Sequence, residues 1–181
     1  MAHNSAALIS DYLNDAISAG KVFEAELCKF AREGDDEDVQ AAFSTLAEQT
    51  RRQQKRLLER LQQMGGGIST DGHAFAHVFE AVAQPLSSGE IQEERLVYRL
   101  VTAYGIEQAW CAFYEALGAV AAAGADTTTE GLARQIQSEE QQVGKKLFSF
   151  IRSRSKIAYN MLTPNELDPA VDTKAFDNPV V

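Results

Sequence analysis

Apolar and small residues recur at Ile9, Leu13, Ala16, Gly20, Phe23, Leu27 and Phe30, in alternating steps of four and three. A helix of 3.6 residues per turn places such positions on one stripe, so the spacing predicts a helix from about Ser5 to Glu33 with a buried seam. Gly34 stops it, and Asp35, Asp36, Glu37 and Asp38 favour the start of a second helix through capping and the helix dipole. That helix, from about Asp36 to Met64, has the seam Val39, Phe43, Leu46, Thr50, Gln53, Leu57, Leu61 and Met64. Its ends are apolar and its middle is polar. Gly65, Gly66 and Gly67 end it.

A long connection follows, with a short helix expected from about Gly72 to Ala83. A capping box of Ser87 and Glu90 opens a third helix that runs to Ala123, and Gly124 stops it. Its seam reads either Val97, Leu100, Tyr104, Glu107, Cys111, Tyr114 and Gly118, or Leu96, Leu100, Ala103, Glu107, Trp110 and Tyr114. A second box, Thr127 and Glu130, opens a fourth helix with the seam Leu132, Ile136, Glu139, Val143, Leu147 and Phe150. It ends near Leu162, before Thr163-Pro164. Short links join helices 1 to 2 and 3 to 4, and a long one joins 2 to 3. The expected fold is therefore all-α, a four-helix bundle over residues 1–162 with one long crossover, which is the ferritin-like arrangement. Residues 163–181 read as an extended tail, whose Leu167, Val171, Phe176, Val180 and Val181 suit docking on the bundle or a neighbour.

Composition narrows the function classes. A chain of 181 residues is enough for one domain with a sizeable core. No apolar run reaches the length of a membrane span, and the first residues lack the pattern of a signal peptide. Cys28 and Cys111 are the only cysteines, which fits a reducing, cytoplasmic setting better than a disulfide framework. The net charge of −9 argues against a nucleic-acid binder. The basic stretch Arg51, Arg52, Lys55, Arg56 and Arg60 reads as a solvated helix face paired with Glu48 and Glu59.

The chemistry native to such a bundle is a pair of metal ions held by inward carboxylates near mid-height. Glu107 falls inward on both traces of helix 3. Glu139 lies on the helix 4 seam with Glu140 beside it, and Glu48 borders the polar middle of helix 2. Helix 1 offers only Gly20 at the matching height, and no Glu-x-x-His occurs anywhere. His73, His77 and Glu80 share one face of the short crossover helix, a spacing that can hold a transition metal, although a solvated polar face is the simpler reading. Cys28 and Cys111 read as small seam residues, and Trp110, Phe113 and Tyr114 as core.

The stretch Asp15-Ala-Ile-Ser-Ala-Gly-Lys21 with Leu27, Lys29 and Ala31 resembles the first helix of the small bacterial ferritin-like YciE/YciF-type family. Val39, Phe43, Gln49-Thr50, Gln53 and Arg56-Leu57 resemble its second. The resemblance implies a ligand-bearing bundle, with departures at the ligand positions. Gly20 stands where the family has a Glu, and Arg51 where it has a His. Tyr104 replaces one of two acids, Gly144 replaces another, and the Glu139-Glu140 pair remains. Arg51 in the interior, beside Glu48, Glu107 or Glu139, would supply a fixed cation in place of the metal. The expected function is a non-catalytic scaffold or binding protein with a degenerate metal site and no cofactor, homo-oligomeric (a dimer) or part of a larger assembly. The alternative is an iron or manganese oxidoreductase, or a metal-binding protein, using Glu48, Glu107, Glu139 and Glu140.

Overall fold

A computed structural model describes residues 5–33, 35–69, 75, 77 and 91–163. Four helices carry the chain: α1 (Ser5–Arg32), α2 (Glu37–Gln63), α3 (Gln92–Ala123) and α4 (Thr127–Leu162). The pairs α1/α2 and α3/α4 pack along their lengths. The two hairpins meet through α1 against α3 and α2 against α4.

Side-chain ties fix the directions. Arg99, near the start of α3, donates to the Glu33 carbonyl and carboxylate just past the end of α1, both at 2.9 Å. Arg60, near the end of α2, donates to Asp126 at the start of α4 at 2.7 Å. Arg154, near the end of α4, holds Asp36 at the start of α2 at 2.7 and 3.0 Å. All neighbouring helices are therefore antiparallel, and α2 and α3 run the same way. This is the ferritin-like all-α fold expected from the link lengths.

The α1 and α2 seams are buried as the spacing predicts, from Ile9 to Phe30 and from Val39 to Leu61. Phe23, Phe43, Leu13 and Leu57 are almost wholly enclosed. Burial of each such side chain stabilises the fold by about 1.5–3 kcal/mol. In α3 the second trace is the buried one, with Leu100, Ala103, Glu107, Trp110 and Tyr114 inside. The α4 seam departs by one position. Ala133, Ile136, Glu140, Gly144 and Leu147 are buried, while Leu132, Val143 and Phe150 pack at the edge. Small residues at 133 and 144 let this face approach α3 closely.

Helix ends also differ in detail. Asp126, not Thr127, caps α4, accepting from Thr129 N at 3.0 Å and Thr129 Oγ1 at 2.6 Å. Helix α3 starts at Gln92, with Ile91 as its N-cap and no side-chain cap bond. The proposed box residues Ser87 and Glu90 lie outside the described residues, as do His73, Glu80 and the tail from Pro164 onward. No helix among the described residues is long and apolar enough to cross a membrane.

Candidate functional site

The polar middle of α2, flanked by apolar turns, places Thr50 and Gln53 among buried residues. The Thr50 hydroxyl is satisfied within its own helix, donating to Leu46 O at 3.0 Å. Gln53 reaches across to α4, where its Nε2 donates to Glu139 Oε2 at 3.2 Å. Arg56, one turn on, grips the same carboxylate with both terminal nitrogens, at 2.9 and 2.6 Å. This two-pronged, charge-assisted contact is among the strongest polar geometries available to a carboxylate. Glu139 thus sits at the α2–α4 boundary with its charge neutralised.

Its neighbour Glu140 points inward and is 2% exposed, and Glu107 from α3 is 0% exposed. The two carboxyl groups face one another in the core. Neither oxygen of Glu107 has a donor among the described residues. Two ionised carboxylates cannot hydrogen-bond, so the contact becomes a bond only when one of them carries a proton. Burial, and then the adjacent Glu140 charge, raise the Glu107 pKa well above the usual carboxylate range. Burial raises Glu140 too, against the opposing pull of its contacts with Glu107 and Gln53. The arrangement is an acid–acid pair that favours one proton held between Glu107 and Glu140 over two buried charges.

Tyr114 lies one turn beyond Trp110, with stacked rings 5.3 Å apart. Burial, followed by the charges of Glu140 and Glu107, pushes its phenol well above its ordinary pKa, which keeps it neutral. Burial likewise raises the Cys111 thiol. Neither group is poised as a nucleophile.

The other sequence-predicted residues fall elsewhere. Glu48 is on the outside, its side chain 68% exposed and 3.8 Å from Arg52. Arg51 does not enter the core. Its side chain is 64% exposed, and it bonds Glu24 of α1 through Nε at 2.8 Å. The guanidinium that meets one of the expected site acids, Glu139, is Arg56, part-buried at the α2–α4 boundary. Gly20 is filled from across the helix pair, since a Cβ there would stand 2.9 Å from Gln54 Cγ, and Gln54 in turn donates to Glu24 at 3.0 Å. A side chain at Gly144 would press on Gln108 Nε2 at 3.0 Å. His77 is exposed. Sequence reasoning missed Arg56 and Gln53 as site residues. The available signal was their spacing of three and their place in the polar middle of a seam.

Two helices supply one buried carboxylate each, the third acid is held by a guanidinium, and α1 supplies none. Among the described residues, no three His, Cys, Asp or Glu side chains form a metal-holding group. The set does not fit a di-metal centre.

Solved structures share the fold. The E. coli stress protein YciF superposes with a TM-score of 0.75 at 21% identity, covering 86% of this chain and 99% of that one. A dodecameric thioferritin, the bacterioferritin-related protein of Bacteroides fragilis, gives 0.66 at 20%, covering 87% and 92%. Dps from Thermosynechococcus elongatus gives 0.66 at 14%, covering 80% and 90%. No curated protein matches the sequence. Residues 6–158 match the family described as Domain of unknown function (DUF892), and with most of its length so accounted for, the chain belongs to that family.

Proposed function

We propose that this chain is a non-catalytic ferritin-like scaffold or binding protein whose di-metal centre has been replaced by protein charge and a shared proton. The carrying observation is the Arg56–Glu139 contact. A ligand-type carboxylate is bound at both oxygens by a guanidinium from the neighbouring helix. The positive charge that a metal would bring is thereby built into α2. The remaining acids, Glu107 and Glu140, share one proton, which removes one of their two charges. A stress-associated role and assembly into homo-oligomers, a dimer in the simplest case, fit relatives described as a stress protein and as a dodecamer.

A second reading rests on the two donorless oxygens of Glu107. A single hard cation between Glu107 and Glu140 would satisfy them, giving a metal-binding protein with iron or manganese at a reduced site. Elemental analysis of untagged protein, before and after exposure to ferrous iron and manganese, separates the two. The scaffold reading expects no stoichiometric metal under any condition. Near-stoichiometric metal that disappears in Glu107→Ala overturns it.

A further inference from the structure

The α2–α4 groove carries two adjoining clefts outside the buried acid pair. One, of about 270 Å³, is lined by Gln49, Arg52, Arg56 and Glu139. The other, of about 40 Å³, is lined by Ala42, Leu46, Gln49, Val143 and Leu147, with Thr45 and Lys146 as further polar residues. Gln49 belongs to both. The first is polar and the second largely aliphatic.

Donors and acceptors are unevenly matched in the polar cleft. Glu139 is its only acidic residue and accepts from four nitrogens: two of Arg56, Gln53 Nε2 and, at 3.4 Å, Gln135 Nε2. Its capacity is filled. On the donor side, Gln49 Nε2 and Arg56 Nε have no acceptor among the described residues. The Arg52 guanidinium stands 3.8 Å from an exposed Glu48, too far for a hydrogen bond and in water-screened surroundings. What the cleft lacks is therefore acceptors and negative charge, even though the whole chain is strongly acidic. Gln49 lines both clefts, and the terminal torsion of a glutamine is soft enough for its amide to turn between them.

We propose that this groove binds a small aliphatic carboxylate, its head on Gln49 and Arg52 and its short chain against Leu46, Val143 and Leu147. The proposal gives the binding-protein reading a ligand class, and it stands or falls separately from the metal question. Metal retained at Glu107 would defeat the scaffold reading and leave the groove unaffected. Water also satisfies an unpaired amide, but water does not discriminate by charge or chain length. The aliphatic cleft makes that discrimination the decisive readout.

The test is titration of the full chain with sodium butyrate, acetate, phosphate and chloride at matched ionic strength, followed through the Gln49 side-chain amide and Arg52 Nε–H resonances. Butyrate is expected to saturate in the millimolar range and to bind at least fivefold tighter than acetate or phosphate. Arg52→Ala and Gln49→Leu are expected to weaken it at least tenfold. Arg51→Ala, one residue away but turned toward Glu24, is expected to leave it unchanged. Both Arg52 and Arg51 are exposed, so their variants retain the fold, which circular dichroism verifies. Non-saturating shifts, equal affinity for butyrate and acetate, tighter binding of phosphate, or equal losses in Arg51→Ala and Arg52→Ala would each overturn the proposal.

Discussion

Glu107 is the residue at which this core is least at ease. A carboxyl group shut from water with no donor to meet it costs several kcal/mol when ionised, and a proton shared with Glu140 relieves most of that. Because its pKa is raised by folding, the folded state binds this proton more tightly than the unfolded chain does. The resulting stabilisation is fully present below the unfolded value near 4.5 and is lost as pH rises through the folded value. Glu107→Gln keeps a donor toward Glu140 without any titration. It should therefore leave stability near pH 4 little changed and raise it at pH 8 by about 1–3 kcal/mol. Thermal melts of both proteins across that range check this; a constant difference at all pH values would mean that the pair is not sharing a proton. The seam predicted from sequence placed Glu107 correctly but exchanged the roles of Glu139 and Glu140. Leu132 and Val143 drew the seam toward Glu139 by their hydrophobicity. The buried face is set by the small Ala133 and Gly144, whose contribution is close approach rather than apolar bulk. Arginine was similarly ambiguous, because a long side chain reaches inward or outward from nearly any position. Arg51 and Arg56 differ in what stands across from them, Glu24 in one case and Glu139 in the other.

At the scale of elements, α2 and α3 end with the same device and different residues. After α2, Gly65 takes a left-handed backbone with φ of 79°, its N–H bonds Gln62 O at 2.9 Å, and Gly66 N–H bonds Leu61 O at 3.0 Å. After α3 the same pair of bonds runs from Ala125 to Ala122 O at 3.0 Å and from Asp126 to Ala121 O at 2.9 Å. Here the left-handed residue is Ala125, with φ of 56°, while Gly124 before it is ordinary. Gly124 marks the stop in the sequence, and the left-handed residue lies one position later. An L-residue in this region costs roughly 1–2 kcal/mol, part of which glycine returns as unfolded-state entropy. Ala125→Gly is accordingly expected to stabilise the protein by about 0.5–1 kcal/mol, seen as a higher denaturation midpoint at unchanged m-value. Helix spans were legible because four long seams, three followed by glycine and the fourth by Thr163-Pro164, leave little freedom. The α3 start was not, since Ile91 offers no side-chain cap and the boundary depends on packing.

Over the whole molecule, the α2–α4 seam is fastened at three heights by Arg60–Asp126, Arg56–Glu139 and Arg154–Asp36. The outer two join an arginine near the end of one helix to the N-cap of the other, so each aspartate satisfies helix amides and ties two helices at once. Hydrogen bonding to Arg154 and to Val39 N holds Asp36 below its ordinary pKa. Bonds from Thr129 and Arg60 lower Asp126 despite its partial burial. For carboxylates depressed by folding, the stabilisation is present above the unfolded value near 3.8 and is lost as pH falls through the folded value. Arg154→Ala and Arg60→Ala should each destabilise at pH 7 by about 1–3 kcal/mol, and the deficit should shrink below pH 3. Acid titration followed by circular dichroism measures this. A deficit that persists at pH 2 would assign the loss to packing of the arginine stem.

The Arg56 guanidinium also bears on how the chain folds in a cell. A bundle held together by a metal folds only as far as the surrounding metal supply allows, and a chelator removes part of its stability. A cation encoded in α2 is present from the moment the helix is synthesised, at one equivalent per chain. Assembly of this protein should then be indifferent to iron starvation, and its melting temperature should be the same with and without EDTA.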